Sequence, residues 1–261
     1  MSQRFFVGRE ILGQSAVLEG NEAYHLVRVM RAKPGFRCTL FDGTGTEYDA
    51  EVTEVSPKAA RLRILSSRAV ERELSFRVTI AAPLPKGDRE RFLVEKLTEL
   101  GVTTFVPLIT ARTVVRPTPS GVRRLERDVI EASKQCGRNR LMRITAPTVL
   151  QAFLQDYATA EVRWLAHPCQ EMRQVAAGGD AGATSETPSG KLRGEGVSAE
   201  SPAVPSAESA WVAVVGPEGG FAPEELQAAA SLGWRFVDLG PRILRVETAA
   251  IVLAVKMTSR G

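Results

Sequence analysis

Trp211-Val212-Ala213-Val214-Val215-Gly216-Pro217-Glu218-Gly219-Gly220-Phe221 is the stretch whose reading decides the fold. Five consecutive apolar residues predict a strand buried on both faces, as in a parallel sheet. The strand ends in a glycine-rich loop. Pro223, Glu224 and Glu225 then read as the first turn of a helix, because proline suits that position and carboxylates favour the positive end of the helix dipole. Ala222 offers no side-chain acceptor and is a poor N-cap. The loop is neither G-x-G-x-x-G nor a P-loop, since no Gly-Lys-Ser/Thr follows, which argues against a dinucleotide or a nucleoside triphosphate. A glycine pair lets a ligand approach the main chain, whose N–H groups can bind an adenine edge or a carboxylate. A tight structural turn is the plainer alternative.

Downstream the pattern repeats. A strand over residues 236–239 leads into Leu239-Gly240-Pro241-Arg242-Ile243-Leu244-Arg245-Val246-Glu247-Thr248-Ala249. Arg245, Glu247 and Thr248 open the last helix, where Arg245 and Glu247 read equally as an ion pair or as a holder of an anionic or electron-poor substrate. That helix has Val246, Ala249, Ala250, Leu253, Ala254 and Met257 on one face and Ile251, Val252 and Val255 on others. A helix apolar on nearly all sides belongs in a core or a subunit interface. Two glycine loops at strand carboxyl ends form the usual ligand edge of an α/β sheet.

Upstream, strands over residues 76–82, 103–108 and 161–166 alternate with helices, one carrying Leu93, Leu97 and Leu100 before Gly101 and one over residues 120–136. This predicts an α/β domain with a mostly parallel sheet over residues 73–261. Residues 1–72 read as a small β-barrel. Strands at 36–41, 48–55 and 60–70 flank the Asp42-Gly43-Thr44-Gly45 turn, and one helix near 22–31 turns Leu26, Val29 and Met30 inward. In residues 176–210, 25 of 35 are Ala, Gly, Ser, Thr or Pro. Such a segment buries too little apolar surface to offset its ordering entropy and is expected to be a disordered insertion, with a domain linker as the rival reading.

Composition excludes several classes. Cys38, Cys136 and Cys169 are scattered and odd in number, so neither a disulfide framework nor a metal knuckle is expected; with only His25 and His167, no metal site is expected either. No apolar run approaches the roughly 20 residues needed to span a bilayer, and the start lacks a signal-peptide pattern, which predicts a cytoplasmic protein without a membrane partner. The net charge of +4 is uneven. Residues 176–210 hold two cations and five acids, leaving +7 on the rest, and 27 of the 34 cations are Arg, whose planar fork suits phosphate. On the helix over 120–136, Val122, Leu125, Val129, Ala132 and Cys136 share one side, while Arg123, Arg127, Lys134 and Arg138 cluster opposite. That stripe reads as a phosphate track or as an ordinary solvated face.

Five motifs occur in an order that carries a resemblance: Leu84-Pro85-Lys86-Gly87-Asp88, Glu95-Lys96-Leu97-Thr98-Glu99-Leu100-Gly101-Val102, Glu131-Ala132-Ser133-Lys134-Gln135-Cys136-Gly137-Arg138, and the two glycine loops. Together they resemble the 16S ribosomal RNA uridine-N3 methyltransferases (RsmE type) of the SPOUT superfamily. Arg4-Phe5-Phe6-Val7 and His25-Leu26-Val27-Arg28-Val29-Met30-Arg31 resemble that family's PUA-like barrel. The resemblance implies a C-terminal trefoil knot, a homodimer, and S-adenosylmethionine held by three loops and released as S-adenosylhomocysteine. On this chain the cofactor residues would be Leu165, His167, Val215, Gly216, Pro217, Glu218, Gly219, Gly220, Leu239, Gly240, Ile243, Leu244, Arg245, Thr248 and Ala249. Arg245 and Arg138 would be donors to the uracil, and Glu218 or Glu247 a base or ribose contact. The partner would be 16S ribosomal RNA or the small subunit, met by Arg4, Arg28, Arg31, Lys86, Arg112, Arg123, Arg127, Lys134 and Arg138. Two departures stand out: the insertion at 176–210, and Ala222 where a serine-like cap is usual. A related SPOUT enzyme acting on transfer RNA or another base atom, and a non-catalytic RNA-binding protein, are the alternatives.

Overall fold

Two sheets divide the chain in this computed structural model, which describes residues 3–168 and 210–259. The expected insertion at 176–210 lies outside the described residues, apart from Ala210 at its end.

The first sheet holds β1 (Arg4–Phe6), β2 (Ser15–Glu19), β3 (Arg37–Phe41), β4 (Thr46–Val55) and β5 (Ala59–Ala69), in the order β1-β3-β4-β5-β2. Only the β1–β3 pair is parallel. Alternation builds its core: Leu18, Leu40, Ala50, Val52 and Leu62 point inward with Phe5. Among the described residues the edge strands β1 and β2 do not pair with each other, so the small β-barrel expected is a half-barrel sheet. The helix expected near 22–31 is α1 (Gly20–Tyr24), running on into a π-helical turn over His25–Val29. The wider turn changes which residues face inward. Leu26 is buried as expected, whereas Val29 is exposed.

The second sheet comprises β6 (Arg77–Ala82), β7 (Thr104–Ile109), β8 (Arg143–Ile144), β10 (Val162–Ala166), β11 (Ala210–Val214) and β12 (Arg235–Val237), with β9 (Thr148–Val149) also paired to β7. All its pairings are parallel, in the order β12-β10-β11-β6-β7-β8. β11 lies near the middle, which explains its unbroken apolar run. Trp211, Ala213 and Val215 face a layer made by α2 (Arg89–Glu99), α3 (Pro119–Cys136) and α6 (Val246–Thr258). Val212 and Val214 face the opposite layer of α4 (Leu150–Asp156) and α5 (Pro223–Ser231). Leu93, Leu97, Leu125, Val129, Leu253 and Met257 fill the first layer.

Local chemistry sets the helix ends. Thr118 Oγ1 accepts the Gly121 N–H at 3.1 Å and Pro119 opens α3, which stops where Gly137 takes a left-handed φ of 86°. In place of the missing acceptor at Ala222, Glu225 reaches back and accepts the Ala222 N–H at 2.8 Å.

The two sheets meet at α3 and its C-terminal turn. Arg4 Nη2 donates to Asn139 Oδ1 at 2.6 Å, and Lys134 Nζ lies 2.9 Å from Glu22 Oε1.

Candidate active site

The carboxyl ends of β10, β11 and β12 converge on one cavity of about 300 Å³. That volume falls at the lower end of small-molecule sites. From the end of β10 it is lined by His167; from β11 by Val215, Gly216, Pro217, Glu218, Gly219 and Gly220; from β12 onward by Leu239, Gly240, Ile243, Leu244 and Ala249. Leu165 lies below the cavity, fully buried in the apolar layer. Arg245 and Thr248 are exposed next to lining residues and do not themselves line it.

Sequence reasoning missed Arg112, Phe221 and Asp238 as lining residues, while Ala166, Pro168, Arg242 and Val246 fell within the expected cofactor segments without being singled out. Arg242 and Val246 stood inside a motif already quoted. Arg112 follows β7, another strand whose carboxyl end opens on the same edge, and the sheet rule alone pointed there.

The loops are shaped by close contacts. Gly220 takes φ 70° and donates its N–H to Pro217 O at 2.8 Å, closing a tight turn. Gly240 takes φ 107° and donates to Asp238 Oδ1 at 2.7 Å. At Gly216 a Cβ would stand 2.9 Å from the Phe221 ring, which is buried and packed with the α4–α5 layer. Arg112 Nη1 donates to the Gly219 carbonyl at 2.6 Å. The cavity thus combines apolar walls, main chain in glycine turns, and cations at Arg112 and Arg242 beside Glu218. Such a lining suits a ligand with a flat apolar ring, polar edges and a carboxylate. Among the described residues no group of three or more His, Cys, Asp or Glu side chains is placed to hold a metal ion.

Two expected catalytic residues are employed elsewhere. Arg138 is only 4% exposed. It lies beyond Gly137, so the left-handed turn carries it off the helical stripe and into the interior. There it pairs with Glu73 and donates from Nη1 to the carbonyls of Thr98 (2.9 Å) and Val102 (3.1 Å). A guanidinium so enclosed cannot reach a substrate. Glu247 is buried with Oε1 3.5 Å from Arg89 Nη1, and it does not line the cavity. Of the two expected carboxylates Glu218 lines the cavity, where Asp238 joins it.

The expected RNA cations divide in the same way. Arg4 pairs with Glu47 under only 9% side-chain exposure, and Lys134 bridges Glu22 and Glu131. These two fasten the half-barrel to α3 and do not face a partner. Arg28, Arg31, Lys86, Arg123 and Arg127 are exposed.

The family described as RNA methyltransferase domain matches residues 72–258, and the RNA methyltransferase PUA domain matches residues 18–65. Ribosomal RNA small subunit methyltransferase E of Synechocystis is 30% identical over 260 residues, covering 99% of this chain and 78% of that protein. Its Bacillus subtilis counterpart is 30% identical over 238 residues, covering 90% and 86%. A Legionella pneumophila methyltransferase solved with bound SAM superposes with a TM-score of 0.80 at 28% identity, covering 100% of this chain and 98% of that one. Ribosomal RNA small subunit methyltransferase E from Neisseria gonorrhoeae, bound to S-adenosyl methionine, gives 0.78 at 28% identity over 99% and 98%. With half-barrel, parallel sheet and strand-end cavity all falling within these matches, the chain belongs to the RNA methyltransferase family of ribosomal RNA small subunit methyltransferase E.

Proposed function

We propose that this chain methylates N3 of a uridine in 16S ribosomal RNA of the small subunit, using S-adenosylmethionine and releasing S-adenosylhomocysteine. The observation that carries the reading is the cavity formed where three strand-end loops meet, two of them the glycine motifs. When bound there, the cofactor supplies an electrophilic methyl group on a sulfonium.

The chain's own residues would do the rest. Main-chain groups of Val215, Gly216 and Leu239, with Ile243 and Leu244, hold an adenine, and Glu218 meets a ribose hydroxyl or takes the N3 proton. Arg245, exposed at the start of α6, and Arg242, at the cavity, bring positive charge to the side where negative charge spreads onto uracil O2 and O4. N3 lies on the pairing edge, so the uridine must be unpaired or flipped out. Arg123 and Arg127 on α3, with Arg28 and Arg31 on the half-barrel, would take phosphates.

The chain path supports a trefoil knot. α6 follows β12 at one sheet edge yet packs on α2, β6 and β11, so residues 238–245 run back across the ends of β10 and β11. A homodimer is supported by exposed apolar side chains: Ile243, at the cavity, is 96% exposed, and Val255, further along α6, is 44% exposed. Among the described residues no helix is long and apolar enough to cross a membrane, and a cytoplasmic place follows from a ribosomal substrate.

The test is transfer of labelled methyl to small subunits lacking the modification, followed by nucleoside analysis. 3-Methyluridine is expected. Absence of label in any RNA removes the enzymatic reading, and a different methylated nucleoside removes the N3 assignment.

A further inference from the structure

The glycine loop that lines the cavity is tied to a segment outside the three loops. β7 ends in a turn at residues 110–113. Thr113 N donates to Thr110 O at 3.2 Å, Thr110 N donates to Thr113 Oγ1 at 2.8 Å, and the two hydroxyls lie 3.0 Å apart. This closed turn presents two consecutive residues to the glycine loop. Ala111 N donates to Glu225 Oε1 at 2.8 Å, while Glu225 Oε2 accepts the Ala222 N–H at 2.8 Å. Arg112 Nη1 donates to Gly219 O at 2.6 Å, and its side chain lines the cavity. One carboxylate therefore joins the two segments, and one guanidinium joins them again three residues away. Both are charge-assisted bonds, stronger than neutral ones.

The same segment runs on through Arg116 to the Thr118 cap of α3. Arg123 and Arg127 on that helix make no ion pair among the described residues. The segment thus has a cation-bearing side that suits RNA and a side bonded to the cofactor loop.

We propose that Arg112 and Glu225 are positioning residues forming a clasp between the α3 segment and the glycine loop, so that RNA on α3 and cofactor in the cavity tighten each other's binding. The proposal rests on the reading of the cavity as the S-adenosylmethionine site. The physical basis is that Ala111 and Ala222 share one carboxylate and Gly219 is held by the Arg112 guanidinium, so displacing the segment relative to the loop strains or breaks these bonds. Phosphate contacts that fix the α3 segment also fix the loop, and linkage makes the effect reciprocal.

The experiment measures equilibrium dialysis of labelled S-adenosylhomocysteine with and without unmethylated small ribosomal subunits, using wild type, Arg112→Ala, Arg112→Lys and Glu225→Gln. Wild type should bind S-adenosylhomocysteine about fivefold or more tightly in the presence of subunits. Arg112→Ala and Glu225→Gln should bring that ratio close to one. The amide introduced by Glu225→Gln has the size of the carboxylate but turns an NH2 group toward one of the two N–H donors, which opens one tie. Arg112→Lys should keep part of the ratio, because an ammonium can still donate to Gly219 O. A full ratio in both Arg112→Ala and Glu225→Gln overturns the clasp. So does a ratio of one in wild type that binds S-adenosylhomocysteine and methylates subunits, and that result leaves the cofactor reading intact. Wild type that binds no S-adenosylhomocysteine overturns both.

Discussion

Arg72 Nη1 lies 2.7 Å from Glu47 Oε1, and the same nitrogen donates to the Gly137 carbonyl at 2.8 Å. Glu47 is 2% exposed and also accepts from Arg4 and from Arg68 Nε at 3.2 Å. One carboxylate of β4 thereby holds the cations that reach the end of α3. Removing it leaves the Arg4 charge enclosed without its partner. Glu47→Ala should therefore cost about 3 kcal/mol. In a domain of this size that lowers Tm by roughly 6–12 °C, measurable by thermal denaturation. A change below about 2 °C would mean that the junction does not depend on this cluster.

The same carboxylate makes the junction acid-sensitive. Burial pushes its pKa up, but hydrogen bonds and charge from Arg72 and Arg4 outweigh that and bring it from 4.5 to about 2. A folded pKa below the unfolded one gives stability that is complete above about 4.5 and is lost as pH falls toward 2. Asp42 acts in the same direction: burial opposes, yet the hydrogen bonds from Thr44, Ile11 and Tyr48 lower its pKa. Urea unfolding at pH 7, 4 and 3 should show wild type losing stability on acidification, and Glu47→Gln losing about 2 kcal/mol less over that range. Parallel pH curves for the two proteins would dismiss Glu47 as the source.

Arg127 and Arg138 separate binding from folding, although the sequence pattern put them on one stripe. Arg127→Ala removes an exposed cation, so Tm should stay within about 1 °C of wild type. RNA affinity should fall, with the slope of log K against log salt shrinking by about one unit. Arg138→Met strips the Glu73, Thr98 and Val102 contacts and should cost about 3 kcal/mol. Filter binding at several salt concentrations, beside melting curves, distinguishes the two. A reduced salt slope for Arg138→Met without loss of Tm would return that residue to the RNA face.

Periodicity located most of the α/β strands and helices, because strands buried on both faces and amphipathic helices leave strong patterns. Trp211 to Val214 and the face bearing Leu125 and Val129 are examples. The cavity was legible because both glycine motifs follow strands of a parallel sheet. β8 and β9, two residues each, leave too short a pattern to read. The fate of Arg138 was hidden for a different reason. The stripe carried helical spacing two residues past the expected end at 136, to Arg138, whereas Gly137 takes a left-handed φ and turns the chain there. Charge alone likewise could not tell Lys134, held by two carboxylates, from Arg127. One of those carboxylates, Glu22, comes from the half-barrel, far away in sequence.

Arg245 stands at the N-cap of α6 with its side chain exposed, directly between Leu244 and Val246, which line the cavity. If it stabilises charge developing on the uracil, it should matter in the transition state more than in cofactor binding. Arg245→Ala should lower kcat about 100- to 1000-fold. S-adenosylhomocysteine affinity should change less than about threefold. Arg245→Lys should restore part of kcat. Single-turnover methylation and equilibrium dialysis check both halves, and an affinity loss matching the rate loss would make Arg245 a cofactor contact instead.

Gly216 and Gly219 sit three residues apart in the same loop, yet only one has no room for a side chain. A Cβ at Gly216 meets three atoms of the Phe221 ring at 2.9–3.1 Å, and that ring is locked among Leu226 and Trp234 in the apolar layer. A Cβ at Gly219 meets only Arg112 side-chain carbons, at 3.5 and 3.7 Å, an ordinary contact with a flexible arm. Neither glycine has a positive φ, so backbone strain does not separate them. Gly216→Ala should displace either the loop or the ring. The cost of about 1–3 kcal/mol should weaken S-adenosylhomocysteine binding roughly tenfold. Gly219→Ala should stay within about twofold of wild type. Isothermal titration of both variants decides it: equal losses would mean that the loop tolerates no side chain anywhere, and intact binding in Gly216→Ala would mean that Phe221 yields.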